Sequence, residues 1–243
     1  MEQEQSIIVV DAGNSFIKIS RFKNDKIFGI EHLTMMELSA NWQKYNHLKK
    51  CKGIISSVRS VNDTHLLSSF FENALLLDEN LKLPIQLKYE TPLTLGKDRI
   101  CNAIAAWNQN FNNFSVTIDI GTCIKFDVVD NHGNYLGGSI SPGINLRYKS
   151  LNDYTAQLPL LNETDQIQLI GSSTKGSIQS GVINGIQSEI NDLMRRYSIM
   201  FDDLTFFVTG GDAKYFDFHP KNNIFANENL TLEGLYHIFL FND

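Results

Sequence analysis

The sequence predicts an α/β fold made of two duplicated domains. Two phrases are the first reason: SIIVVDAGNS at Ser6 to Ser15 and SVTIDIGTC at Ser115 to Cys123 are both apolar, β-branched runs that end in Asp-x-Gly and then Asn or Thr. A second strand-like run, a polar turn and a third apolar run follow each phrase, which is typical of two hairpin connections. Helical and strand-like patterns then alternate in both halves, so we expect the functional site to lie between the two copies.

The elements of the first half follow from hydrophobic spacing and turn residues. They are, in order, a polar turn at Lys23 to Lys26, a helix-like stretch at Thr34 to His47, a parallel strand at Lys52 to Val58, an amphipathic segment at His65 to Leu77, an extended stretch at Ile85 to Tyr89 and a helix beginning near Asp98. Apolar residues recur at helical spacing on that last helix and predict one buried face.

The second half has the same order of patterns. Its elements are a polar turn at Asn131 to Asn134, a long helix at Thr174 to Met200 with a buried stripe from Ile178 to Tyr197, and a strand at Leu204 to Gly210. Three strands followed by alternating helix and strand, done twice, predict two domains of the ribonuclease-H-like type. The polar, Asn-rich NQNFNNFS stretch predicts the boundary, so that the domains are residues 1–112 and 113–243.

Composition excludes several classes of function. The 243 residues include 21 basic and 27 acidic side chains, a net charge of −6 with no long block of either sign, which argues against a nucleic-acid or anionic-membrane partner. The N-terminal MEQEQ lacks the features of a signal peptide, and no apolar run approaches the roughly 20 residues of a membrane span. We therefore expect a cytoplasmic protein. Three widely spaced Cys and six His without ligand spacing predict neither disulfides nor structural zinc.

The repeated phrase suits a phosphate bound with a metal ion. Gly13 and Gly121 can adopt positive φ and leave room for backbone N–H groups to face phosphate oxygens. Asp11 and Asp119 supply carboxylates at strand ends, and Mg²⁺ prefers one or two carboxylates together with waters and substrate phosphates. One copy alone is better explained as an Asx-turn that shapes a hairpin. Two copies in matching strand context favour the phosphate interpretation.

The segment TPLTLGKDRICNAIAAW contains the third group of candidate residues. Asp98 and Arg99 stand at the start of the predicted helix, where a carboxylate could bind a substrate hydroxyl and a guanidinium a substrate carboxylate. The simpler alternative is that Asp98 is an N-cap and Arg99 its solvated neighbour.

Taken in order, these motifs resemble those of the type III pantothenate kinases, members of the acetate and sugar kinase, heat-shock-70 and actin superfamily. The resemblance covers nearly the whole chain. It rests on DAGNSFIK at Asp11 to Lys18, Tyr89, GKDR at Gly96 to Arg99, DIGTC at Asp119 to Cys123, GGSISPGINLRYKSL at Gly138 to Leu151, AQLP at Ala156 to Pro159, GSSTKGSIQSG at Gly171 to Gly181 and TGGDA at Thr209 to Ala213.

The resemblance implies transfer of the ATP γ-phosphate to the primary hydroxyl of pantothenate, in a fold of the actin-like ATPase type with its active-site cleft between the domains. Asp98 would be the general base, Mg²⁺ would accompany ATP, and Asp119 would bind K⁺ or NH₄⁺, so that Na⁺ in place of K⁺ should lower activity. A homodimer that uses the second domain is also implied. The residues implied for ATP are Asp11, Ala12, Gly13, Asn14, Ser15, Phe16, Ile17, Lys18 and Thr122, and those for pantothenate are Tyr89, Gly96, Lys97, Asp98, Arg99 and Thr174.

One departure from the family pattern is Lys125, where a small or β-branched residue is commoner. Alternation places Lys125 on the strand face of Cys123 and Asp127, where its charge could pair with Asp127 or compete with the monovalent ion. A solvated edge lysine is the simpler interpretation.

Other functions stay open: a kinase for another small hydroxy acid, a transcription accessory factor of the same fold, and an actin-like or chaperone-like ATPase. The sequence has no room for the large inserted subdomains that actin-like and chaperone-like ATPases carry, which argues against the last of these functions.

Overall fold

The computed structural model describes residues 6–14, 16–162, 167–218 and 223–243. The chain divides into two compact units. The first consists of Met1–Gln86, Glu90–Ala105 and Asn229–Asp243, and the second of Leu87–Tyr89 and Ala106–Glu228. This division differs from the predicted domains, 1–112 and 113–243, mainly because the C-terminal segment belongs to the first unit.

The first unit contains a five-stranded sheet in the order β3-β2-β1-β4-β5. Its strands are β1 (Ile7–Ala12), β2 (Ile17–Lys23), β3 (Lys26–Leu33), β4 (Gly53–Ser57) and β5 (Ala74–Leu76). The first three strands are antiparallel, whereas β4 runs parallel to β1 and β5 parallel to β4. The turn between β2 and β3 places Asn24 and Asp25 at positive φ, which matches the twist of a two-residue hairpin and confirms the predicted polar turn.

The second unit contains a six-stranded sheet in the order β11-β10-β7-β8-β9-β6. Its strands are β6 (Gln86–Leu87), β7 (Ser115–Ile120), β8 (Cys123–Val129), β9 (Asn134–Pro142), β10 (Thr205–Thr209) and β11 (Ile224–Ala226). Strands β7 to β9 are antiparallel, and β10 runs parallel to β7 and β11 to β10. The order β9-β8-β7-β10-β11 repeats that of the first sheet, so the predicted duplication is confirmed.

The helices are α1 (Met35–Ala40), α2 (Trp42–Tyr45), α3 (Val61–Phe70), α4 (Lys97–Gln109), α5 (Ile144–Asp153), α6 (Thr174–Met200) and α7 (Leu230–Asn242). The predicted long helix α6 is confirmed, and its buried stripe packs on the apolar face of the second sheet. The helix expected at Thr34 to His47 is instead two short helices, because the chain leaves helical geometry at Asn41.

The segment predicted as one amphipathic stretch at His65 to Leu77 contains two elements. Ser60 caps α3 by accepting a hydrogen bond from the Asp63 amide, so the helix starts earlier than predicted. The helix then ends at Phe70, and the apolar residues that follow pair with β4 as strand β5. The single-element prediction was therefore wrong at this point.

Helix α7 explains why the C terminus belongs to the first unit. Buried apolar residues lie on most of its surface, among them Leu230, Leu235 and Ile238, and it packs on β1 and β4. Its Gly234 lies directly against the Cys101 carbonyl, where a Cβ would overlap the backbone of α4. None of the helices in the described ranges is both long and apolar enough to cross a membrane.

Candidate functional site

The first predicted phosphate motif forms the β1–β2 hairpin. Asp11 lies near the carboxyl end of β1, directly opposite Lys18 on β2, and the Gly13 amide donates to the Phe16 carbonyl at 3.0 Å to close the turn. Phe16 is exposed and Ile17 is buried. Ser15, also predicted to bind ATP, lies outside the described residues. The described residues of the motif therefore place one carboxylate and one tight turn at the end of a central strand.

Asp98 lies within the first turn of α4. The helix begins at Lys97 and the Ile100 amide donates to the Gly96 carbonyl, so Gly96, and not Asp98, precedes the helix. The Oδ1 atom of Asp98 lies 2.6 Å from the position that a Cβ on Gly96 would take. A side chain at Gly96 would thus displace the carboxylate. Arg99 is 5% exposed, so the alternative of an N-cap with a solvated arginine does not describe this helix start.

The charges of Asp11 and Asp98 both affect the pKa of one buried thiol, that of Cys101. Burial raises the pKa of the Cys101 thiol well above its ordinary value, and the negative charges of Asp11 and Asp98 raise it further, whereas Lys97 opposes them. Lys97 in turn donates from Nζ to the Ser57 carbonyl at 3.2 Å, at the end of β4. Since β4 pairs with β1 in register through Asp11 and Ser56, the start of α4 and the Asp11 hairpin lie at the same edge of the first sheet.

The second predicted phosphate motif forms the β7–β8 hairpin. Asp119 lies in one row of the sheet between Thr209 on β10 and Lys125 on β8. Lys125 Nζ is 2.6 Å from Asp119 Oδ2, and the two side chains are 16% and 15% exposed. Lys125 is therefore not a solvated edge lysine: β8 is an internal strand, and the ammonium group binds the carboxylate that the sequence analysis assigned to a monovalent cation.

Two glycines allow the turn that follows β7 to pack closely. The Gly143 amide, at the start of α5, donates to the Thr122 carbonyl at 3.0 Å, and a Cβ on Gly143 would overlap the Gly121 carbonyl. Gly210 adopts a φ of +97° after β10, and a Cβ there would overlap the backbone of Ile120. Thr122 itself is exposed. The turn is thus bordered by backbone on two sides, whereas a Cβ on Gly121 itself would meet no atom within 4 Å.

The predicted pantothenate residues of the second unit lie in two places, Tyr89 in the segment after β6 and Thr174 at the start of α6. Tyr89 packs edge-on against Tyr135 of β9, with ring centroids 5.8 Å apart, and Tyr135 donates its hydroxyl to the fully buried Asp127 at 2.6 Å. Thr174 is the first residue of α6, after the Ser173 side chain that caps the helix. It lines a cavity of about 730 Å³ between α5 and α6, whose other lining residues include Arg147 and Ile178.

Two charged residues outside the predicted set, Arg147 and Lys125, lie beside predicted site residues. Arg147 binds Glu189 through Nη2 and donates from Nε to the Pro142 carbonyl at 2.8 Å, so its guanidinium is fixed beside the cavity that Thr174 lines. The sequence signal for Arg147 is its place in the GGSISPGINLRYKSL motif, which by itself gives no role to the arginine. For Lys125 the sequence leaves open whether its charge pairs with Asp127 or competes with the monovalent ion.

The comparisons with known proteins agree on one family. The model of the type III pantothenate kinases matches residues 7–196. Type III pantothenate kinase of Christiangramia forsetii is 42% identical, over 97% of this chain and 98% of that protein, and type III pantothenate kinase of Flavobacterium johnsoniae is 39% identical, over 94% and 95%. This chain belongs to the type III pantothenate kinase family. The predicted family resemblance is confirmed, and with it the class of enzyme, an ATP-dependent kinase.

Solved structures confirm the fold class of this chain. A Campylobacter jejuni protein described as a Baf family transcriptional activator is 24% identical with a TM-score of 0.60, over 97% of this chain and 98% of that one. The inorganic polyphosphate/ATP-glucomannokinase of Arthrobacter is 11% identical with a TM-score of 0.53, over 98% and 100%. At these identities the likeness concerns the fold alone, and it agrees with the two sheets of matching strand order.

Proposed function

We propose that this chain transfers the γ-phosphate of ATP to the primary hydroxyl of pantothenate, giving 4′-phosphopantothenate, the first step of coenzyme A biosynthesis. The family match carries the proposal, because residues 7–196 include every residue that the sequence analysis assigned to the site. Those assignments, residue by residue, are part of the proposal, except the monovalent cation at Asp119, whose carboxylate binds Lys125.

Asp98 is the proposed general base. A base must hold its carboxylate in a defined position so that it can accept the proton of the attacking hydroxyl. The place of Asp98 in the first turn of α4, with its carboxylate over Gly96 where no side chain displaces it, supports this role. Phosphoryl transfer requires positioning and charge stabilisation more than covalent chemistry, so a fixed acceptor site is the principal requirement.

ATP is proposed to bind at the two hairpin turns, through Asp11 to Lys18 and Thr122. The Asp11 carboxylate at the end of β1 fits Mg²⁺, which takes one or two protein carboxylates and completes its shell with waters and phosphate oxygens. When bound with ATP, Mg²⁺ neutralises charge on the phosphates. The exposed Thr122 hydroxyl and the glycine-lined turn beside it supply contacts of the second unit.

Pantothenate is proposed to bind through Gly96 to Arg99, Tyr89 and Thr174. Arg99 provides a buried guanidinium next to the base, and such a group suits the substrate carboxylate. Tyr89, which packs against Tyr135 of β9, and Thr174, at the start of α6, would each contribute a hydroxyl group. A homodimer, a cytoplasmic location and the absence of nucleic-acid or membrane partners remain predictions from the sequence.

The test is formation of 4′-phosphopantothenate by the purified chain. We would supply Mg²⁺, ATP and pantothenate in a buffer that contains both K⁺ and NH₄⁺, and detect the product by mass spectrometry. Product with pantothenate, and not with other small hydroxy acids, supports the proposal. If product forms only with another hydroxy acid, that acid and not pantothenate is the substrate. ATP binding without transfer to any acceptor would favour a regulatory role.

A further inference from the structure

The strongest unassigned feature of the described residues is the ion pair between Lys125 and Asp119. We propose that the ε-ammonium of Lys125 takes the place of a monovalent cation at Asp119, so that phosphoryl transfer by this chain requires neither K⁺ nor NH₄⁺. This inference rests on the proposed function, since it concerns the cation requirement of that reaction.

The backbone places the ammonium group. Asp119 and Lys125 are direct partners in the antiparallel register of β7 and β8, so their side chains project from the same face of the sheet at neighbouring positions. Both strands are internal, with β10 on one side and β9 on the other. The pair is therefore set by the fold of the hairpin and does not depend on a flexible loop.

The geometry is that of a strong, poorly hydrated ion pair. The distance of 2.6 Å between Nζ and Oδ2 is slightly shorter than the roughly 2.7–2.9 Å usual for a charge-assisted N–H···O hydrogen bond, and both side chains are about five-sixths buried. Lysine is rarely this buried unless it is paired. The structure pairs Lys125 with Asp119, and Asp127 accepts the hydroxyl hydrogen of Tyr135.

The donor set does not fit an additional monovalent cation on this carboxylate. A K⁺ ion bound to Asp119 would lie next to the Lys125 ammonium, and two like charges at such a distance repel strongly away from bulk water. The lysine also offers the same chemical group as NH₄⁺, one of the two ions predicted for the site, but tethered to β8. A tethered group is present at any salt concentration and loses less freedom on binding than a free ion.

The first experiment compares salts with the wild-type chain. Phosphate transfer to pantothenate would be measured with K⁺, NH₄⁺, Na⁺ or tetramethylammonium as the only monovalent cation, at constant ionic strength. Equal rates in all four salts support the inference, and activity confined to K⁺ and NH₄⁺ overturns it. No activity in any of them would count against the proposed function instead.

The second experiment removes the tethered charge. Lys125→Met should lose about 10²-fold in rate in Na⁺, a loss typical of removing one electrostatic stabiliser, and regain most of it in K⁺ or NH₄⁺. Lys26→Met, a change at an exposed lysine of β3, is the matched control and should show no salt preference. If Lys125→Met fails to fold, as judged by circular dichroism, Lys125→Gln keeps a polar side chain and replaces it.

Thermal unfolding gives a readout that is independent of turnover. A cation that binds only the folded state raises the melting temperature as its concentration rises. We expect K⁺ and Na⁺ to have equal effects on the wild-type chain, and K⁺ to stabilise Lys125→Met selectively. Selective stabilisation of the wild-type chain by K⁺ would overturn the inference, as would a folded Lys125→Met variant that responds to K⁺ in neither activity nor stability.

Discussion

At the scale of single residues, the proposed base depends on one carboxylate and the glycine beneath it. Asp98 Oδ1 lies where a side chain at position 96 would need to be, so the identity of Gly96 and the position of Asp98 are linked. The sequence predicted both residues from the GKDR motif, but only the structure showed that one of them makes room for the other.

Asp98→Asn should fold normally and bind ATP with nearly unchanged affinity, yet lose about 10²- to 10⁴-fold in turnover, the range of a positioned proton transfer. Product formation and calorimetric ATP titration measure the two effects. Asp202→Asn changes an exposed aspartate outside the site and is the control. Turnover of Asp98→Asn close to that of the wild-type chain would remove Asp98 as the base.

Tyr236 makes the stability of the first unit depend on pH in the alkaline range. Its ring is 5% exposed and stacks on Phe22 at 4.2 Å, and its hydroxyl donates to Asp25 at 2.8 Å. Burial, and next the hydrogen bond to Asp25, raise the pKa of Tyr236 to about 12. The tyrosine therefore loses its proton in the unfolded chain at a lower pH than in the folded chain.

Because the folded-state pKa is raised, the contribution of Tyr236 is complete below its unfolded pKa of 10.0 and is lost as pH rises towards about 12. Urea unfolding across this range should show a falling free energy of unfolding. Tyr236→Phe keeps the ring but not the hydroxyl, so the free energy of unfolding of this variant should fall less steeply with pH. An equally steep decline in the variant would assign the effect to other groups.

At the scale of elements, glycines in helices have opposite roles at two positions. Gly234 of α7 lies against the Cys101 carbonyl, where a Cβ would overlap backbone, whereas a Cβ on Gly185 of α6 would meet only the end of the Arg147 side chain at 3.9 Å. Helix propensity alone favours alanine at both positions. At Gly234, close packing against α4 makes alanine destabilising instead.

Gly234→Ala should destabilise the chain by about 1–3 kcal/mol, as overpacking does, because α7 must move away from α4. Gly185→Ala should stabilise it by about 0.5–1 kcal/mol through helix propensity. Denaturant midpoints of the two variants measure the contrast. Stabilisation by both substitutions would mean that α7 and α4 are not in close backbone contact.

Sequence patterns predicted elements well where local spacing and burial agree. Helix α6 matches its prediction from Thr174 to Met200, since a long periodic stripe has one way to be buried. The His65 to Leu77 segment failed, because three apolar residues pair with β4 and tertiary pairing outweighs helical spacing over so short a run. Helices α5 and α7 were not predicted.

At the scale of the whole molecule, the C-terminal helix completes the first unit although it follows the second in sequence. Helix α7 covers β1 and β4, and the carboxylate of Asp243 binds Lys52 at 2.8 Å just before β4. Local patterns cannot predict such a return of the chain, because α7 begins 218 residues after the end of β1 and 173 residues after the end of β4.

Leu235→Ala should therefore lower the stability of the first sheet by about 2–5 kcal/mol, because Leu235 is fully buried on α7. Hydrogen exchange should show faster opening of β1 and β4. Leu240→Ala, at a partly exposed position of the same helix, should change stability by no more than about 0.5 kcal/mol. Unchanged protection of the β1 and β4 amides in Leu235→Ala would mean that α7 does not stabilise the first sheet.

The predicted homodimer is tested by the mass in solution. The sequence resemblance favours the second domain as the interface, and in the second unit Ile199 and Met200 at the end of α6 are exposed apolar side chains. Light scattering should give twice the mass of one chain at micromolar concentration. A single-chain mass at the concentrations used for the activity assay would contradict the prediction.

The amino-acid sequence by itself determined the duplication, the family and the residues proposed for catalysis, because repeated strand-turn phrases and ordered motifs are local properties of the chain. The tertiary structure decided the properties that depend on distant pairings. It assigned α7 to the first unit, placed Gly143 and Gly210 against the second turn, and paired Lys125 with Asp119. Strand register sets that ion pair, and register follows from the packing of whole sheets.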